Sequence, residues 1–127
     1  MLRVFVFEES QALAARLLER LRVAPQVSVV GVARTVTDAI REIATLVPDV
    51  VITDTEHSDG NGLALLHVLQ ARRATDGSGP RVVLWTGCRD ARRQAVALRL
   101  GAEARFDKAR EVELLVDFCR HAAAYHG

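Results

Sequence analysis

The sequence predicts an α/β domain: a five-stranded parallel sheet, doubly wound as (βα)5, with helices on both faces. Three observations carry this prediction. Short apolar, β-branched runs alternate with segments of helical spacing from one end of the chain to the other. The run Val50–Thr53 lacks the polar alternation of a half-exposed strand and reads as a strand buried on both faces. The length, 127 residues, suits one domain spanning residues 1–127 and is too short for two independent cores.

Taken in order, Arg3–Phe7 is a β-branched and aromatic run. Gln11–Leu21 follows with Leu13, Leu17, Leu18 and Leu21 at helical spacing. Val27–Ala33 reads as the second strand. Thr35 or Thr37 caps a helix over Asp38–Leu46, which Pro48 closes. After Val50–Thr53, Gly62–Arg72 is helical and Asp76–Pro80 is a Gly/Ser/Pro loop. Arg81–Trp85 is the fourth strand, Asp90–Leu100 a helix with Gly101 at its C-cap, Ala104–Asp107 the fifth strand, and Glu111–Ala124 the last helix. Leu13, Leu17, Leu65, Leu66, Leu98 and Leu114 are assigned to the core, and Trp85 to packing. Repeated strand–helix units require right-handed crossovers and hence a parallel sheet.

Composition narrows the function classes. A net charge of +1 gives no field that would draw the domain to nucleic acid. No apolar run spans a bilayer, and the N-terminus turns acidic where a signal peptide stays apolar, so the expected location is cytoplasmic. Cys88 and Cys119 lack metal or redox spacing and are expected as free thiols. Of 17 basic side chains only Lys108 is a lysine. A lone lysine among arginines suggests a position that needs a compact point charge instead of a planar fork.

In open parallel sheets the functional site lies at the carboxyl ends of the strands. There the sequence places Glu8-Glu9, Asp54, Thr86 and Asp107-Lys108. Taken singly, Glu8-Glu9 and Asp54 could be helix caps, Thr86 an ordinary strand end and Lys108 a solvated charge. Together on one rim they form a repulsive carboxylate cluster, which Lys108 and a hard, oxygen-seeking ion such as Mg2+ would compensate. His67, His121 and His126 lack ligand spacing; His57, in the loop after Asp54, could touch the site but is expected to be a solvated loop residue.

The stretch PDVVITDTEHSDGNGL, followed by VLWTG and GAEARFDK, resembles the response-regulator receiver domains of two-component signalling. The resemblance runs over essentially the whole chain and implies a flavodoxin-like fold. It implies that Asp54 is a phosphoacceptor and that Mg2+ is held by Glu9, Asp54 and the Glu56 backbone carbonyl, with Glu8 as helper. Thr86 and Lys108 then contact the phosphoryl group, and Phe106 is the switch aromatic that moves behind Thr86. The implied donor is a sensor histidine kinase or phosphotransfer protein. The implied readout is the face of the fourth helix, fifth strand and last helix, with homodimerisation on activation, toward a downstream protein or a missing output domain. Such a domain catalyses its own aspartyl phosphorylation without being a turnover enzyme.

Four features bear on the family's pattern. Two glutamates form the acidic pair, Ser58 replaces a common proline, Glu56 occupies a variable position, and Ala109 replaces the proline after the lysine. A cis bond before a residue other than proline costs about 2.5–4 kcal/mol, so Lys108–Ala109 is expected to be trans. Two other readings stand beside this one: a pseudo-receiver that signals by contact without phosphorylation, and a small phosphatase of the haloacid dehalogenase type, for which the chain is short.

Overall fold

The structure is a computed structural model that describes residues 1–58 and 62–126. Five strands, β1 (Leu2–Phe7), β2 (Val27–Ala33), β3 (Val50–Thr53), β4 (Arg81–Thr86) and β5 (Ala102–Asp107), alternate with five helices. The helices are α1 (Gln11–Arg22), α2 (Val36–Leu46), α3 (Ala64–Asp76), α4 (Ala91–Arg99) and α5 (Val112–Ala124). The strands form one parallel sheet in the order β2-β1-β3-β4-β5, so the strand order reverses beside β1 and β3.

Side-chain alternation along each strand divides the core between the two faces. Val4, Val6, Val50, Ile52, Val83 and Trp85 pack with Leu17 and Leu21 of α1 and Leu115, Val116 and Cys119 of α5. Phe5, Phe7, Val51, Val82 and Leu84 pack with Ala39 and Ile43 of α2, Leu65, Leu66 and Leu69 of α3, and Ala97 of α4. Each fully buried Leu, Val or Phe contributes about 1.5–3 kcal/mol relative to exposure, so both faces are required.

The helix starts follow their side chains. Ser10 caps α1 by accepting from the Leu13 amide, Thr35 caps α2 by accepting from Asp38, and Asp90 caps α4 by accepting from Arg92 and Arg93. Helix α2 ends on Val47 in the left-handed region, at φ 48°, a conformation costly for a β-branched residue. The Arg3 guanidinium donates to the Leu46 and Val47 carbonyls there and satisfies the helix end.

Two expectations are corrected, and that of a trans Lys108–Ala109 bond holds. Gly62 lies outside α3, which starts at Ala64 and runs on to Asp76. A Cβ at Gly62 would stand 1.9 Å from the Thr55 carbonyl oxygen, so this position serves the close packing of the loop and not a helix. Leu98 and Leu114 are half exposed, because α4 and α5 bury their neighbours Ala97 and Leu115 instead. Among the described residues no peptide bond is cis, so Lys108–Ala109 is trans. No helix among them is long and apolar enough to cross a membrane.

Candidate functional site

The carboxyl ends of β1, β3 and β5 converge on a cleft of about 410 Å³ lined by Glu8, Glu9, Asp54, Glu56, Ser58 and Lys108, among others. A larger hollow of about 580 Å³ lies elsewhere, lined by Ile43, Pro48, Arg72 and Pro80, and contains neither the lysine nor the two buried carboxylates.

Lys108 organises the cleft. Its Nζ lies 2.7 Å from Asp54 Oδ2 and 2.5 Å from Glu8 Oε1, and it stands 5.5 Å from the centre of the Trp85 ring. Burial alone would lower the Lys108 pKa, but the Asp54 and Glu8 carboxylates outweigh it and hold the ammonium above the ordinary lysine value. The Lys108 amide donates to the Thr86 carbonyl at 3.2 Å, which keeps the ends of β4 and β5 in register.

Asp54 is buried, and its Oδ1 accepts from the Glu56 amide at 3.1 Å. Glu8 is also buried. Its Oε2 accepts from the Ser10 amide at 2.8 Å, so both its oxygens are engaged, one with Ser10 and one with Lys108. Glu9 is partly exposed and accepts from the Ser58 amide at 3.1 Å and from the Ser58 hydroxyl. The Glu56 side chain is exposed. Thr86 is fully buried, and its Oγ1 accepts from the Cys88 amide at 3.0 Å.

A divalent ion at this cleft would meet mainly oxygen donors, the carboxylates of Glu8, Glu9 and Asp54 among them, the donor class that Mg2+ prefers. Glu8 Oε1 is buried, and its partner is the Lys108 ammonium. Among the described residues no group of three His, Cys, Asp or Glu side chains forms a ready-made cage. The residues therefore fit a hard ion that keeps its waters and shares one or two carboxylates with a phosphoryl group.

Two placements differ from expectation. Phe106 does not lie on the Thr86 side of the sheet. It pairs across strands with Trp85 and packs edge-on against Phe118 of α5, at 5.9 Å, on the α1/α5 face. Thr86 shares its face with Leu84, and the β5 residue opposite Leu84 is Arg105. Arg105 Nη2 donates to the Cys88 carbonyl at 3.0 Å, and Gln94 Nε2 of α4 donates to the same oxygen at 2.6 Å. Arg105 is the residue that sequence reasoning missed; strand alternation counted back from Thr86 would have found it. His57 is not solvated either. Its ring stacks on Phe7 at 5.6 Å and 8°, its Nε2 lies 2.9 Å from the Arg34 carbonyl, and its Nδ1 is 3.8 Å from Glu9 Oε2.

The model of the response regulator receiver domain matches residues 4–120. The chain belongs to the response regulator receiver domain family, the signalling domains of two-component systems. It is 34% identical over 102 residues to a protein-glutamate methylesterase/protein-glutamine glutaminase of Symbiobacterium thermophilum, covering 80% of this chain and 27% of that protein. It is 32% identical over 72 residues to the DNA-binding transcriptional activator DevR/DosR of Mycobacterium tuberculosis, covering 57% of this chain and 33% of the activator. The matches thus span a third or less of these curated relatives. Among solved structures, the response regulator domain of Thermotoga maritima CheB superposes with a TM-score of 0.83 at 23% identity, covering 100% of this chain and 99% of that one. The receiver domain of a DNA-binding response regulator from Colwellia psychrerythraea gives 0.84 at 23%, covering 98% and 99%. Both share the flavodoxin-like receiver fold.

Proposed function

We propose that this chain is one receiver domain over residues 1–127, and that Asp54 accepts a phosphoryl group from the phosphohistidine of a sensor histidine kinase or phosphotransfer protein. The observation that carries this reading is the Lys108 ammonium, held 2.7 Å from the Asp54 carboxylate inside an acidic cleft. An Asp54 oxygen attacks phosphorus in line; the new O–P bond forms as the P–N bond breaks, and the donor histidine, protonated on its other ring nitrogen, keeps the P–N electron pair and leaves as neutral imidazole. Phosphoryl transfer asks the protein for positioning and charge stabilisation more than for covalent work. Lys108 neutralises one equatorial oxygen, the Thr86 hydroxyl donates to another, and the Glu56 amide fixes the Asp54 rotamer. Mg2+, held by Glu9, Asp54 and the Glu56 carbonyl, supplies charge neutralisation when bound; Glu8 serves chiefly as the counter-ion of Lys108.

The phosphoryl group adds about −1.5 to −2 charges. Drawing Thr86 toward it disturbs the Cys88 peptide and thereby α4 and β5. The altered α4-β5-α5 surface then addresses a downstream protein, an output domain or a second copy of the domain, without direct nucleic-acid contact. The setting is the cytoplasm, and the domain does not turn over a free substrate.

Incubation with acetyl phosphate and Mg2+ should add one phosphoryl mass to the intact protein, and Asp54→Ala and Asp54→Asn should each abolish it. Equal labelling of Asp54→Ala would overturn the assignment. Unlabelled wild-type protein would favour an interaction module that signals without phosphorylation.

A further inference from the structure

Ser58 makes two contacts with one carboxylate. Its amide donates to Glu9 Oε1 at 3.1 Å and its hydroxyl donates to Glu9 Oε2. The Glu9 backbone is held as well, because Arg34 Nε donates to its carbonyl at 3.0 Å. The residue before Ser58 is fastened to the same corner: His57 stacks on Phe7 and reaches the Arg34 carbonyl. The segment that follows Asp54 is therefore tied down onto the end of β1, and Glu9 is the tie.

We propose that Ser58 is a positioning residue that competes with a divalent cation for Glu9 and so sets the ion affinity of the cleft low. The inference rests on the reading of Glu9 as an ion ligand. A carboxylate oxygen that accepts a hydrogen bond has less electron density and fewer open directions for a cation, and here one residue engages both oxygens. Drawing Glu9 toward an ion weakens the contacts that hold Ser58. Ion binding is thereby coupled to the position of the loop after the phosphoacceptor. Proline, common at this place in the family, has neither the amide hydrogen nor the hydroxyl and cannot form this tie.

The test is titration of the full chain with Mg2+, read by Trp85 fluorescence and by calorimetry. Ser58→Ala, which removes the hydroxyl and keeps the amide, should bind Mg2+ about threefold more tightly, and Ser58→Pro, which removes both donors, about tenfold. In a Glu9→Ala background the Ser58 substitutions should change affinity by less than about twofold, because the shared partner is gone. In metal-free protein the Ser58 amide should be protected from hydrogen exchange in wild type and lose that protection in Glu9→Ala. Wild-type or weaker Mg2+ affinity in Ser58→Ala would overturn the competition, whether or not Ser58→Pro folds. If neither wild type nor Ser58→Ala binds Mg2+, even with a phosphoryl analogue present, the ion-assisted reading falls and this inference with it.

Discussion

Lys108 sits between two buried carboxylates that would otherwise face each other uncompensated. Removing one partner of a buried ion pair costs about 3–5 kcal/mol, because the remaining charges stay desolvated. Lys108→Ala should therefore lower both stability in urea and the rate of Asp54 labelling, the latter by about 100-fold, since the ammonium is the protein's cation at the phosphoryl position. Lys108→Arg should restore little of the labelling, because a planar fork does not fit between oxygens 2.5 and 2.7 Å from a single nitrogen. The pH dependence follows from linkage. The folded pKa of Lys108 is raised above 10.5, so its stabilising contribution is complete below that value and fades as pH rises through the raised one. Cys119, whose thiol burial pushes up to about 12, titrates in the same range. The measurement is therefore the difference in urea midpoint between wild type and Lys108→Ala from neutral to strongly alkaline pH, in which Cys119 cancels. A difference that stays constant through pH 12 would contradict the raised value.

At the scale of elements, the turn from β4 into α4 is fixed through one peptide group. The Cys88 amide is committed to Thr86, and the Cys88 carbonyl receives donors from α4 and from β5. Arg105→Ala should loosen this turn, broadening the amide resonances of residues 87–90 and raising hydrogen exchange at Cys88 about tenfold, for a net loss of roughly 1 kcal/mol. Phe106→Ala should leave those signals sharp and destabilise the α5 side instead; the reverse pattern would reinstate Phe106 beside Thr86. The order of elements was legible in the sequence because each strand is short and apolar and each helix carries its own period and cap. The rim of Glu8, Asp54, Thr86 and Lys108 was legible for the same reason, since strand ends fall where apolar runs stop. The error at Phe106 arose because residue type was weighed above strand parity: position 106 shares a face with Trp85, whereas positions 105 and 107 share one with Thr86. The tie between Ser58 and Glu9 was invisible, because a loop's side-chain partners are set by tertiary approach over 49 residues and not by local pattern.

For the molecule as a whole, the sheet assigns every apolar residue to one of two layers or to solvent. Adjacent helix residues point about 100° apart, and the buried stripe of α5 runs through Val112, Leu115, Val116 and Cys119, which leaves Leu114 beyond its edge. Leu115 is fully buried and Leu114 is 52% exposed. Leu115→Ala should cost about 2–5 kcal/mol and Leu114→Ala less than about 1 kcal/mol, measured by thermal or urea unfolding. Comparable losses would place α5 in a different rotation. Sequence reasoning put both Leu98 and Leu114 inside because composition marks a residue as apolar without saying which side of the helix the sheet occupies. The edge of the sheet away from the cleft is knit together around Asp49. Its side chain accepts from the Arg3 amide at 2.8 Å and its carbonyl from the Arg81 amide at 2.9 Å, while His126 lies 3.4 Å from its carboxylate. Three strand starts and the end of α5 are thereby joined on the side opposite the cleft.

The single lysine has a chemical consequence outside signalling. Apart from the amino terminus, this protein offers one aliphatic amine to acylating chemistry, and that amine is the counter-ion of Glu8 and Asp54. Acetylation of a lysine elsewhere commonly trims one charge from a crowded surface. Here a single acetyl group would remove the cation from the cleft and leave its two carboxylates opposed. Sixteen arginines make the rest of the surface inert to the same reagents. The reactivity of Lys108 is thus a direct footprint of whether its ammonium is engaged by Glu8 and Asp54.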